Sequence, residues 1–236
     1  MAVSVDTVYQ RVLAFANKEQ RGYITPQDFN LFACQVQMEI LEQYFYDVNQ
    51  FKRILGNQTD YSDMINNLEE KISLFEVFDQ PITNMNLSNL PNLYRLGMVR
   101  VSYGNSPKRV AEEMQLNELN KYGDSPLAVW SKNRPVYVRY SSGNSNMLEV
   151  YPAPSATDST FISYVAKPYC PNWGYVVVNG KTLYNDNVSV DFRLHSSEES
   201  ELVYRILAYA GISIQKPELT QVAAQVLGSQ VQQEKQ

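Results

Sequence analysis

The sequence predicts an α+β protein: N-terminal helices, a central antiparallel β region, then C-terminal helices and an extended tail. Three observations carry that reading. Apolar residues recur at spacings of three and four through the first third. The period then falls to two across several short runs, and helical spacing returns after Ser196. The expected divisions are an N-terminal helical region over 1–80, a mainly β region over 81–195 with one inserted helix at 106–122, and C-terminal helices and tail over 196–236.

Taken in order, "VDTVYQRVLAFAN" places Val5, Val8, Val12 and Phe15 near one face, with Ser4 or Asp6 available to cap the start. After Gly22, "TPQD" opens a second helix: Thr25 as N-cap, Pro26 at the first helical position and Asp28 near the free amides. That helix runs to about Leu55. One stripe holds Phe29, Phe32, Val36, Ile40, Tyr44, Val48 and Phe51; another holds Leu31, Cys34, Met38, Leu41 and Phe45. A helix apolar on two sides is either central in its own domain or wedged between subunits.

A weaker helical pattern spans Asp60 to Phe78, and a Pro- and Asn-rich connection leads to "YRLGMVRVSYG", read as the first strand. In "SPKRVAEEMQLNELNKYG", Ser106 caps, Pro107 occupies the first turn and Gly123 stops a helix. "PVYVRYSSGNSNMLEVYP" reads as a hairpin, followed by strands in "STFISYVAKP", "GYVVVNGKTLYN" with its Asn179-Gly180 turn, and "VSVDFRLH". Ser196 and Glu199 form a capping box for "SSEESELVYRILAYAG", Gly211 is its stop, and "KPELTQVAAQVL" gives one more short helix.

Composition narrows the function classes. The 236 residues, 44% hydrophobic and 19% charged, describe a globular chain. No apolar run reaches membrane-spanning length, and "MAVSVDTVYQ" lacks the layout of a signal peptide, so folding in a cytosol is expected. A net charge of -5 argues against a protein whose main task is gripping nucleic acid. The charge is uneven, however: residues 1–80 carry 6 basic and 12 acidic groups, 81–140 carry 8 and 4, and 141–236 carry 6 and 9.

No metal, cofactor or catalytic site is expected. "NKEQRGYITPQDF" lies on the calcium-loop template with Asn17, Glu19 and Arg21 as ligands, Gly22 at the turn and Asp28 last, but a permanent cation at a ligand position defeats a hard dication. His195, the only histidine, precedes a capped helix, and no nucleophile, phosphate-loop or zinc-protease motif occurs. Cys34 and Cys170 share no metal-ligand spacing and give no sign of a disulfide framework; both are expected as buried thiols. Scattered carboxylates alone would have to carry an enzyme. The excess is in aromatics: 17 Tyr and 2 Trp suit extensive interfaces, half-buried strands or stacking on sugars.

The strings "NKEQRGYITPQDFN", "YPAP" with "STFISYVAKP", "PNWGYVVVNGKTLYN" and "HSSEESELVYRILAYAGISIQKPELTQVA" resemble a family of bacteriophage virion proteins, known from crAss-like phages and related marine phages. They span both ends and most of the middle, and none is a catalytic signature. The resemblance implies a head-tail connector, or neck, ring or adaptor protein between the portal and the tail. Such a protein assembles as a closed ring, commonly dodecameric, with the portal protein and other neck or tail ring proteins as partners. It would be assembled in the host cytoplasm, sit in the virion and continue the DNA ejection channel.

The basic middle (Arg95, Arg100, Lys108, Arg109, Lys121, Lys132, Arg134, Arg139) would meet acidic flanks of a neighbouring subunit or face DNA. The first is preferred, because a conduit that grips DNA would impede ejection. The segment after Gly211 is expected to act as a docking arm. The alternative function is a tail-associated carbohydrate-binding β module with Trp130 and Trp173 as platforms.

Overall fold

The computed structural model describes residues 3–17, 24–53, 59–104, 106–123, 129–143, 145–155, 157–213, and 221, 224–226 and 228. The α+β class holds, with the chain forming two compact units: Met1–Leu74 together with Pro168–Gln236, and Phe75–Lys167. The N-terminal helices thus join the C-terminal part of the chain, a regrouping different from the three consecutive regions expected. Among the described residues no helix is long and apolar enough to cross a membrane.

In the helical unit, α1 (Val5–Asn17) buries Val5, Val8, Tyr9, Val12 and Ala16, which is the i, i+3, i+4, i+7 pattern of a helix with one covered face. Phe15, expected on that face, is 43% exposed; Ala16 takes the buried position. Ser4 caps the start through its hydroxyl (3.5 Å from the Thr7 amide), and Asp191 takes the Val5 amide at 2.9 Å. Asp6, the other capping candidate, is committed elsewhere.

The next helix, α2 (Pro26–Arg53), starts as the sequence dictates: the Thr25 hydroxyl accepts from the Asp28 amide (3.2 Å) and donates to the Asp28 carboxylate (2.6 Å). Phe29, Ala33, Val36, Gln37, Ile40, Leu41 and Tyr44 are buried. Leu31 is 70% exposed, so the other apolar stripe is only partly covered. The side chain of Phe51 and residues 54–58 lie outside the described residues. Against α2 pack α3 (Thr59–Ser73) and α5 (Glu199–Ser213), the latter also covering α1. Leu202, Val203, Ile206, Leu207 and Ala210 are the buried side of α5.

The capping box expected ahead of α5 is replaced. His195 is the cap of a 3-10 turn over Ser196–Glu198 that runs into the helix, its Nδ1 accepting from the Ser197 amide at 3.3 Å. Of the last expected helix, only residues 221, 224–226 and 228 are described, in helical conformation; the remaining tail lies outside the described residues.

The other unit is built on a six-stranded sheet in the order β1-β6-β2-β3-β4-β5. Its strands are β1 (Glu76–Ile82), β2 (Leu93–Ser102), β3 (Arg109–Glu113), β4 (Val136–Ser142), β5 (Ser145–Tyr151) and β6 (Ser159–Ala166). All neighbours pair antiparallel except β3 and β4, which are parallel and joined through α4 (Leu116–Gly123). Two sequence expectations change here. The helix expected from Asp60 to Phe78 ends at Ser73, and Glu76–Ile82 becomes an edge strand, where Pro81 is tolerated because an edge need not donate every amide. The helix expected over 106–122 is half strand: Arg109–Glu113 pairs with β2, burying Ala111 opposite Val99, and only Leu116–Gly123 is helical. The ladder offered by the preceding strand, β2, outweighs local helix propensity.

Alternation on β4 serves two cores. Tyr137 faces Leu148, Val150, Val99 and Ile162, while Val136 and Val138 face Leu119 of α4, with Met114, Trp130 and Tyr151 against them.

Candidate interaction surface

One face of α2 fastens an extended segment from far along the chain. Asn30, Cys34 and Gln37, spaced four and three apart, lie along one side of the helix. Asn30 accepts from the Trp173 amide (2.8 Å) and donates to the Asn172 side chain (2.8 Å). Gln37, 1% exposed, donates to the Tyr169 carbonyl (2.8 Å) and accepts from the Arg193 amide (3.0 Å), so both ends of a buried amide are satisfied. Between them Cys34 and Cys170 form a disulfide. This corrects the expectation of two buried thiols: Cys34 is half-buried and Cys170 exposed. With a sequence separation of 136, no local spacing announces the pairing.

The clamp delivers Trp173 into the helical unit. At 3% exposure its ring lies 4.3 Å from Tyr9, and its indole N–H donates to Asp6 at 2.9 Å. A buried indole needs such an acceptor. Trp173 therefore presents no platform to a sugar. Trp130 is half-buried with its ring 5.1 Å from Tyr151.

From Trp173 the chain enters a two-stranded ribbon, β7 (Tyr175–Val178) and β8 (Lys181–Tyr184). The Asn179-Gly180 turn has φ of 51° and 77°, the left-handed pair that suits a two-residue hairpin. Tyr175 and Tyr184, directly opposite each other, both pack on Trp173 at 5.9 and 5.7 Å. Gly174 lets the base close: a Cβ there would stand 2.9 Å from the Val188 backbone. Its amide donates to Ser189 Oγ (3.0 Å) and its carbonyl accepts from the Asn185 amide (2.9 Å).

Beyond this base the ribbon is bare. Val176 and Leu183 face each other on one side, with Val178 beside them; Val177 points to the other. All four are about half exposed or more, 46% to 60%. A ribbon of two strands is marginal by itself. Here the Trp173 base holds it, and it displays aliphatic side chains on both faces. The run "YVVV" has no polar alternation, and that is the available signal; the polar residues come on β8, with Thr182 opposite Val177 and Lys181 opposite Val178.

The same unit has an apolar recess. A groove of about 370 Å³ between α1 and α5 is lined by Arg11, Ala14, Phe15, Ser200, Val203 and Tyr204. Phe15 and Tyr204 approach to 6.4 Å between ring centres, and Arg11 pairs with Glu199 at 3.1 Å.

The basic residues of the middle segment are spread over several elements and are largely engaged within their own unit. Asp79 stands at a bulge in β1 with φ of 60° and pairs with both Arg100 (2.8 Å) and Lys108. Arg134 pairs with Glu112 at 3.0 Å and Arg139 with Glu113 at 2.7 Å. Arg95 lies over Tyr94 and Lys132 over Tyr103; Arg109 and Lys121 are exposed on β3 and α4. The sheet unit as a whole holds nine basic and eight acidic residues, so the excess counted over 81–140 nearly vanishes once the folded unit is the frame.

One carboxylate pair has unusual acidity. Glu198, 1% exposed, pairs with Lys71 at 2.6 Å and accepts from Ser197 Oγ at 3.0 Å. Burial alone would raise its pKa, but the hydrogen bond and charge of Lys71 outweigh it and hold Glu198 below the usual carboxylate range. Glu201, 7% exposed, is pushed up to about 7, chiefly by burial and with Glu198 adding to it, against the opposing charge of Arg205. Arg205 also reaches Gln43 and Glu39, and Tyr209 donates to Glu39. With both carboxyls shut away from solvent, this is a structural network joining α2, α3 and α5.

Of the calcium-loop positions, residues 18–23 lie outside the described residues, and Asp28 lies in the first turn of α2 with its carboxylate bound by the Thr25 cap. Among the described residues no three His, Cys, Asp or Glu side chains gather to hold a metal. No protein-family model matches the chain, and no curated protein matches it.

Proposed function

We propose that this chain is a non-enzymatic bacteriophage virion structural protein that forms a ring in the neck, joining the portal to the tail and continuing the DNA channel. The family resemblance supplies the location. The observation that carries a subunit role is the bare β7–β8 ribbon: a rigidly based element with about half of four aliphatic side chains in water, on both faces, is built to be covered by another protein. The mechanism is geometric, with the portal protein and another neck ring as further partners. Because most of its middle cations are engaged within their own unit, the protein offers DNA little to grip, as a conduit requires.

Electron microscopy of the purified protein, alone and mixed with its portal and neck neighbours, tests the reading. Closed rings of one fixed symmetry, joined to the portal in the mixture, are expected. Monomers in both samples would sink it.

A further inference from the structure

We infer that the Cys34–Cys170 bond is a reversible redox latch on the ribbon's anchor. Closed, it locks the anchoring segment to α2; opened by a small dithiol, it frees that segment while the helical unit stays folded. The inference rests on the proposed virion reading for the change of redox setting, from host cytoplasm to free particle, and on the clamp alone for its chemistry. Cytoplasmic thiols are held reduced, and disulfides formed there are mostly transient or redox-sensing. A chain assembled in that setting and carried out of it meets both states.

The two sulfurs are placed for exchange. Cys170 is exposed and Cys34 is half-buried within α2, so an incoming thiolate meets Cys170 first. One thiolate of the dithiol attacks the Cys170 sulfur, forming a mixed disulfide and expelling Cys34 as its thiolate. The other then attacks the dithiol's own sulfur in that mixed disulfide and expels the Cys170 thiolate. Two electrons pass to the protein, the two protons lost by the dithiol end on the two cysteines, and the dithiol leaves as a cyclic disulfide. A small disulfide reverses both steps. The sequence has 2 cysteines and both are in this bond, so no third thiol diverts the exchange.

The clamp keeps its register without the bond. Asn30 and Gln37 flank Cys34 on the helix; Asn30 takes the Trp173 amide and Gln37 binds the Tyr169 carbonyl, each at 2.8 Å. Trp173 itself is buried against Tyr9 and hydrogen-bonded to Asp6. With the sulfurs joined, Cys170 cannot leave α2, and Trp173, close behind it, is tethered too. With them apart, the segment lifts whenever a few local contacts open together. The ribbon starts at Tyr175, so its base inherits the difference. The competing role is a staple without which the helical unit unfolds. Flanking side chains that already fix the segment, beside an exposed cysteine, suit a latch better.

The test treats the full chain with dithiothreitol under native conditions and follows thiol titration, far- and near-UV circular dichroism and limited trypsin digestion with peptide mapping. Lys181, exposed at the ribbon's turn, reports the anchor, and Lys121, exposed on α4 in the sheet unit, serves as the internal control. Two titratable thiols per chain with both spectra retained are expected, and cleavage after Lys181 should rise roughly fivefold or more while cleavage after Lys121 does not move. Exchanging the dithiol for a small disulfide should restore the slow rate. The double variant Cys34→Ser/Cys170→Ser should cleave at the reduced rate with or without dithiol.

Thiols that appear only in denaturant, or spectra lost on reduction, overturn the latch in favour of a staple. So does cleavage that rises equally at both lysines, and an unmoved rate at Lys181 overturns it outright. Rings seen by microscopy alongside an unmoved rate overturn the latch and leave the ring reading standing. Monomers in both redox states, with the change at Lys181 intact, overturn the ring reading and leave the latch.

Discussion

Arg134–Glu112 and Lys71–Glu198 are ion pairs of similar length, 3.0 and 2.6 Å, in opposite settings. In the sheet unit both partners are more than half exposed; in the helical unit the Lys71 side chain is 18% exposed and the Glu198 side chain 1%. Coulomb's law at the same distance gives very different energies in the two media, and so does removal of one partner. In water a lost partner is replaced by solvent. In the interior the survivor keeps its charge and loses its compensation.

The largest effect should follow Lys71→Met. It strands the Glu198 carboxylate, and a cost of about 3–5 kcal/mol is expected from the denaturant midpoint. Adding Glu198→Gln removes the stranded charge and should recover part of the loss. A single-variant cost under about 1 kcal/mol would erase the contrast between the units.

Next comes pH. Because Glu201 in the folded chain holds its proton up to about 7, above its ordinary range, its contribution is fully present at acid pH and is lost as pH rises through about 7. Between pH 5 and 8 the helical unit should lose on the order of 2 kcal/mol from this group. Glu201→Gln should flatten that slope. Glu198 moves the other way, its contribution fading as pH falls below the usual carboxylate range, so the acid limb should persist in the variant. A slope unchanged by Glu201→Gln would show that another group sets it.

The smallest effect should be Arg134→Ala. An exposed pair of this kind is worth roughly 0.5 kcal/mol or less, and less still at high salt. A cost comparable to that of Lys71→Met would mean that exposure does not govern these pairs.

What is legible in the sequence follows from the range of the interactions. Thr25, Pro26 and Asp28 announce the start of α2, and Asn179-Gly180 announces the ribbon, because caps and tight turns are settled within a few residues. Strand β3 reads as helix because Ser106, Pro107 and Gly123 imitate a helix start and stop, although its ladder partner β2 is the strand just before it. β1 is hidden because its partner, β6, lies far along the chain. Phe15 and Trp173 mark the limit most clearly. Phe15 fits the apolar stripe of α1 and stays exposed. Trp173 has the chemistry of a sugar platform, yet it is buried by Tyr9 and Asp6 from the opposite end of the chain. The candidate surface is half legible. Its turn and its unbroken valines are visible, but the α2 face that anchors it meets it only once Pro168–Gln236 has folded back on Met1–Leu74.

The bond between Cys34 and Cys170 has a mechanical meaning. Every residue of the sheet unit lies in the stretch of chain between those two cysteines. Tension applied through the chain before residue 34 and after residue 170 therefore passes across sulfur and bypasses residues 35–169 altogether. While the bond lasts, the sheet unit lies outside that load path, and a pull applied before Cys34 and after Cys170 cannot unravel it.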